Sequence, residues 1–237
     1  MREMRRGVVN RQELRTFMFY AVVLIACFFC CWEDSGARMF LVVSAAMLLG
    51  SIFEIPLFEM KTRKPRLGDE ALEVLGEIYK VRVLEEVREG SARAYNTTVT
   101  LNAGGFLIPV VFAIFLLFSE GVPYFECSLS YFLMTIIAYS LSEFRTGIGI
   151  VVPSYVGILA IPLAIILAPS ECNCTCLASL VFVPAILGIC TGILITLVSF
   201  PKEKHGSAFI NIGGAVADCG FSAVFIVSLL STIIASM

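Results

Sequence analysis

Apolar residues gather into seven stretches, separated by short polar turns and one long polar loop. They run roughly Phe17 to Trp32, Met39 to Phe58, Leu101 to Ser119, Tyr124 to Ser142, Gly147 to Ala168, Leu177 to Phe200 and Ala208 to Ser236. A helix crossing a hydrocarbon core of about 30 Å needs about 20 mostly apolar residues. The pattern therefore predicts an all-α, polytopic helical membrane protein with about seven transmembrane helices. The first stretch is short, and its basic flank resembles that of a signal peptide. No small-x-small cleavage site follows Cys30-Cys31-Trp32, so it reads as a retained span.

Residues 59–100 form the one long loop. Thr62 to Glu70 is charged and carries Pro65 and Gly68, the composition of a linker. From Ile78 the chain alternates, with Tyr79, Val81 and Val83 on one face; Glu89-Gly90-Ser91 offers a turn, and Ala94 to Leu101 is rich in β-branched residues. A small cytoplasmic β-hairpin leading into the third span is expected. The alternative is one amphipathic helix over Asp69 to Glu89, lying on the membrane surface. Residues 1–237 read as a single integral membrane domain.

Composition agrees with the pattern. The chain is 58% hydrophobic and 15% charged, with a mean hydropathy of +0.90. Soluble domains average about 45–50% apolar and about 25% charged. An ordinary soluble enzyme, a disordered chain and a nucleic-acid binder are thereby excluded, and the net charge of -2 excludes a generally basic surface. The Lys and Arg distribution gives the orientation. Basic residues precede the first span and crowd the 59–100 loop; Arg145 follows the fourth span, and Lys202 and Lys204 follow the sixth. All these segments lie on one side, and only Arg38 falls opposite. The expectation is a multi-pass protein of the cell membrane with a cytoplasmic N-terminus and an external C-terminus.

Two span starts share a pattern. The third opens Asn102-Ala103-Gly104-Gly105 and the seventh Asn211-Ile212-Gly213-Gly214. Both would run from inside to outside, so any repeat is parallel rather than inverted. Two glycines cost about 2 kcal/mol of helix propensity against two alanines, and they let backbones approach closely. An asparagine in hydrocarbon needs partners for its amide. Together they predict helices that start late or are broken near the inner face, around a polar cavity or as a tight packing contact. A third glycine-rich entry, Arg145 to Ser154, has no phosphate-loop lysine or dinucleotide pattern around it.

These blocks carry a resemblance. Gly50-Ser51-Ile52-Phe53-Glu54-Ile55-Pro56-Leu57-Phe58-Glu59, Val99 to Pro109, Gly147 to Pro153 and Ile212 to Ala215, in this order, are similar to a bacterial and archaeal family of small polytopic membrane proteins classed only as a domain of unknown function. The resemblance implies the polytopic helical fold and brings no activity with it. It implies an acid at the end of the sixth span, which Ile195 to Pro201 lacks, and an asparagine where this chain has Glu54.

Glu54 and Asp218 are the carboxylates expected inside spans. Such groups cost about 2.5–3.5 kcal/mol at a helix centre and are functional candidates by default. Asp218 is expected about 15 Å deep by helix rise, and Glu54 within one turn of Phe58. The candidate polar or ion site therefore comprises Asp218, Asn211, Gly213, Gly214, Asn102, Gly104, Gly105 and Glu54. Its leading use is permeation of a small solute or ion. A structural or regulatory membrane protein, whose glycines only pack helices, is the alternative. A divergent intramembrane aspartyl protease comes third: Gly213 to Asp218 is placed like that family's turn, but its spacing differs and no second aspartate faces it. The chain is accordingly expected not to be an enzyme. The only histidine, His205, sits beside Lys202 and Lys204 in a polar turn.

Six of the nine cysteines fall toward the outer side. An oxidising exterior favours a disulfide there, with Cys127 approaching Cys172, Cys174 or Cys176. The Cys-x-Cys-x-Cys spacing is not a standard zinc pattern. No metal or cofactor is expected. The expected partners are the lipid bilayer and a small solute or ion, with no nucleic acid; assembly into an oligomer is compatible with this.

Overall fold

The computed structural model describes residues 11–63, 94–118, 122–145, 149–199, 209–214 and 220–237. Helices α1 (Arg11–Cys31) and α2 (Ser35–Gly50) come first, followed by strands β1 (Glu54–Arg63) and β2 (Ala94–Asn102). A π-helical turn, Ala103–Leu107, leads into α3 (Ile108–Phe118), and α4 (Tyr124–Leu141) returns to a short hairpin of β3 (Glu143–Arg145) and β4 (Gly149–Val151). A 3₁₀ turn, Ser154–Leu159, opens α5 (Ala160–Leu167). Then come α6 (Cys174–Ser199), strand β5 (Phe209–Ile212) and α7 (Phe221–Ala235).

Two of these helices, α4 and α6, are long and apolar enough to cross a membrane by length and composition. The most apolar stretch of α6 is 72% buried and that of α4 only 22%, so α6 is the hub and α4 an outer cover. Phe182 of α6 meets Phe40 of α2 and Phe112 of α3 at ring-centroid distances of 5.6 and 5.2 Å. Gly188 and Gly192 stand one turn apart on α6. A Cβ on either would lie 2.6 Å from the Met134 Cβ or 2.7 Å from the Ala138 Cβ of α4, so the missing side chains are what let the two helices touch. Large apolar side chains also point outward in quantity: Phe29, Phe118, Phe125 and Ile166 are each more than three-quarters exposed.

At one end of the bundle β1, β2 and β5 form a sheet in the order β1-β2-β5. β1 runs antiparallel to β2, with Glu54 opposite Asn102 and a bulge between Pro56 and Phe58. As an edge strand β1 tolerates Pro56. β5 runs parallel to β2, with Thr100 beside Asn211 and Leu101 beside Ile212.

The sheet corrects the expected spans in four places. The second helix stops at Gly50, and Glu54 to Phe58 is strand. Pro56 keeps Ile55 extended, since the residue before a proline is pushed to extended backbone, and the Asn102 amide takes up the Ser51 carbonyl at the helix end. The third stretch is still strand at Leu101, because the β-branched run Thr97 to Thr100 carries through to Asn102. In the fifth, residues 149–151 are strand and helix begins only after Pro153. There Tyr155 is 52% exposed. In the seventh, residues 209–212 are strand and α7 starts at Phe221. Ala94 to Leu101 is a strand as expected. However, its antiparallel partner is Glu54–Arg63 from the end of the second stretch. The expected partner around Tyr79, Val81 and Val83, and the alternative helix over residues 69–89, lie outside the described residues.

Candidate functional site

Asn102 ends β2 and caps the π turn. Its Oδ1 accepts the Gly105 N–H at 2.9 Å, and its Nδ2 donates to the Ser51 carbonyl at 2.7 Å. The Ala103 N–H donates to the Phe53 carbonyl at 3.0 Å. A methyl group on Gly104 would overlap the Met47 carbonyl and the Ser51 amide of the α2 terminus. Asn102 and Gly104 thus clamp the end of α2 to the start of α3. Both ends of the buried Asn102 amide are used on backbone, and Asn102 itself is 1% exposed.

The second segment is built differently. Asn211 lies on β5 and its Nδ2 donates to Glu54 Oε1 at 2.5 Å. Its Oδ1 is buried and accepts no hydrogen bond. A Cβ on Gly214 would lie 2.5 Å from the Asn211 Cγ, so the amide folds back over its own turn. Gly213 has φ +70°, the left-handed conformation that glycine takes without penalty. The Phe221 N–H returns to the Gly214 carbonyl at 3.3 Å, so α7 begins beside the turn that precedes it.

The two segments meet. The Gly105 Cα and the Gly213 carbonyl are in contact with no room for a methyl between them. The parallel pairing sets the motifs out of step by two residues, with Asn211 beside Thr100 rather than Asn102. The structure therefore brings together Glu54, Asn102, Gly104, Gly105, Asn211, Gly213 and Gly214. Asp218 lies outside the described residues, as do His205, Lys202 and Lys204. Glu54 is not within a helical span: it opens β1, is exposed, and faces Asn211 across the sheet.

Other contacts were not anticipated from sequence. Ser44 on α2 and Ser228 on α7 join hydroxyls at 2.7 Å in the interior, and Ser44 also donates to the Phe40 carbonyl at 2.9 Å. One hydroxyl carries one proton, so Ser228 is the donor of the pair. The Gly188-x-x-x-Gly192 spacing was visible in the chain and is a known close-packing signal. The serines had no such signal, because a hydroxyl in an apolar helix usually bonds its own preceding turn.

The cysteines expected on the outer side also pair differently. Cys172 and Cys176 form a disulfide, with Cα atoms 5.5 Å apart. Cys127 is buried in the first turn of α4 and forms no disulfide, against the expected pairing, and Cys174 is an exposed free thiol. Asn173 explains the local pairing: its Oδ1 accepts the Cys176 N–H at 2.7 Å and starts α6 there. That cap folds the preceding Cys172 back toward the first turn. Among the described residues no group of three or more His, Cys, Asp or Glu is arranged to hold a metal.

The model of a family described as a protein of unknown function (DUF1614) matches residues 48–234. No curated protein and no solved structure matches the chain.

Proposed function

The chain belongs to this DUF1614 family, and we propose that it is a multi-pass protein of the cell membrane that passes a small solute or ion through the junction of the two Asn-x-Gly-Gly segments. In this reading the helical segments all cross the bilayer, the N-terminus is cytoplasmic and the C-terminus external, and no covalent chemistry is involved. The exposed Phe and Ile side chains support a lipid surround, since large apolar patches are rare on soluble monomers. So does the concentration of Lys and Arg on alternate loops.

One observation carries the permeation reading. The segments before α3 and α7 both depart from the α-helix where they cross, one as a π-helical turn and the other as strand and turn, and there the Asn211 amide pairs with the Glu54 carboxylate beneath an apolar bundle. Interrupted helices that present backbone and a few polar side chains are the usual form of a transporter binding site. The test is solute and ion flux in vesicles holding the purified full chain. Flux that falls at least tenfold in Glu54→Gln and Asn211→Ala, with both variants folded, supports the reading. Folded parent protein that passes none of a panel of inorganic cations, anions and small neutral solutes overturns it.

A second reading, a structural or regulatory membrane protein without transport, is favoured by Asn102, Gly104 and Gly105. Their polar groups and their space are wholly taken up by neighbouring backbone. Absence of flux together with strong destabilisation by Gly104→Ala is its signature.

A further inference from the structure

The start of α6 holds three cysteines within five positions: a bonded pair, Cys172 and Cys176, and the free Cys174 between them. Cys174 is exposed, and the bonded residues are half-buried. Cys27, Cys31, Cys127 and Cys190 are buried free thiols, so among the described residues only Cys30 and Cys174 offer an exposed one. A thiolate attacks a disulfide sulfur whenever it can reach it along the bond. We propose that these three residues form a thiol–disulfide exchange site in which Cys174 is the attacking thiol.

The helix decides the product. Cys174 and Cys176 both lie in the first turn of α6. Residues two apart on a helix point about 200° from each other, so a bond between them requires the turn to unwind. Cys172 lies before the Asn173 cap and is free of that constraint. The Cys174 thiolate therefore attacks the Cys172 sulfur. The Cys172–Cys176 bond breaks, a Cys172–Cys174 bond forms, and the electron pair leaves on the Cys176 sulfur, which takes up a proton. Nothing is oxidised or reduced overall. The reactive thiol moves from an exposed position to a half-buried one next to the Asn173 cap. An external thiol, small or on a protein, that attacks Cys172 enters the same cycle: Cys174 resolves the mixed disulfide and releases the external thiolate.

The experiment uses the full chain in detergent without reductant, near pH 8.5, where an ordinary thiol is about half ionised. N-ethylmaleimide is added at a series of concentrations, and the labelled position is read by peptide mass spectrometry. The expected result is label on both Cys174 and Cys176, with the Cys176 share growing as the reagent is diluted and falling to background in Cys174→Ser. In Cys176→Ser under oxidised glutathione, Cys172 and Cys174 should bond to each other and neither should take label. Label confined to Cys174 at every concentration overturns the proposal. So does alkylation of both Cys172 and Cys174 in the Cys176→Ser protein.

Discussion

Gly105 and Gly213 face each other backbone to backbone, and a methyl group on either would strike the carbonyl oxygen of the other. Neither oxygen sits on a flexible side chain, so the clash cannot be relieved by a rotamer change. Overpacking usually costs about 1–3 kcal/mol. Gly105→Ala and Gly213→Ala are expected at or above the top of that range, with Gly213→Ala adding the strain of a positive φ. Melting temperatures in detergent check this. Parental values for both variants would show that the segments do not touch.

The two asparagines should behave unequally, although their motifs look alike in the chain. Asn102 makes two hydrogen bonds to backbone inside the fold, and losing a buried partner costs about 1–3 kcal/mol for each group left unmet. Asn102→Ala should therefore destabilise by several kcal/mol. Asn211→Ala removes one bond to an exposed carboxylate and also removes an acceptor that has no partner, so it should cost less than Asn102→Ala. Denaturation of the two variants side by side gives the order, and the reverse order would contradict the geometry.

Gly188 and Gly192 set the approach of α4 to α6. Leucine at either position pushes against the Met134 or Ala138 segment, which is helix backbone as well as side chain. Gly192→Leu is expected to abolish recovery of folded protein. Val198→Leu, on an exposed face of the same helix, should have no effect. Equal recovery of both would remove this contact from the account.

The Ser44–Ser228 pair predicts a mild phenotype. In Ser228→Ala the Ser44 hydroxyl keeps its bond to the Phe40 carbonyl, so the loss is one neutral hydrogen bond, about 1 kcal/mol. Ser228→Leu must instead fit a larger side chain at a site that is 0% exposed. The difference between the two variants in thermal unfolding should be severalfold.

Topology is open to direct measurement. The one-sided distribution of Lys and Arg predicts that a reporter fused after Met237 is read outside. A cytoplasmic signal would remove the odd number of crossings from the proposed function.

Several of these relationships were legible before the structure. Each apolar run holds a helix, though four of the seven also take in strand, and Asn102-Ala103-Gly104-Gly105 announced a late helix start and a close backbone contact. The sheet was less legible. Glu54 to Phe58 is as apolar as the helix it follows, so hydropathy merged them; Pro56 was the available sign that the helix had ended. Residues 209–212 are only four long, and nothing within Phe-Ile-Asn-Ile says that their partner is Thr98 to Leu101. Register between strands far apart in the chain is a tertiary property. The cysteine pairing failed for a related reason. Short loops on one expected side put Cys127 within reach, whereas the bond joins Cys172 to Cys176 across the Asn173 cap of their own helix.

The parallel pairing of β2 with β5 has a consequence in time. Thr98 pairs with Phe209, 111 positions later in the chain. While the protein is being made, β2 has β1 on one side and an open edge on the other until four helices and a hairpin have followed it. Open strand edges recruit other chains, and contacts of large sequence separation form slowly. The last eighth of the polypeptide therefore completes the junction, and a ribosome stalled before Phe209 holds a nascent chain whose central strand is still unguarded.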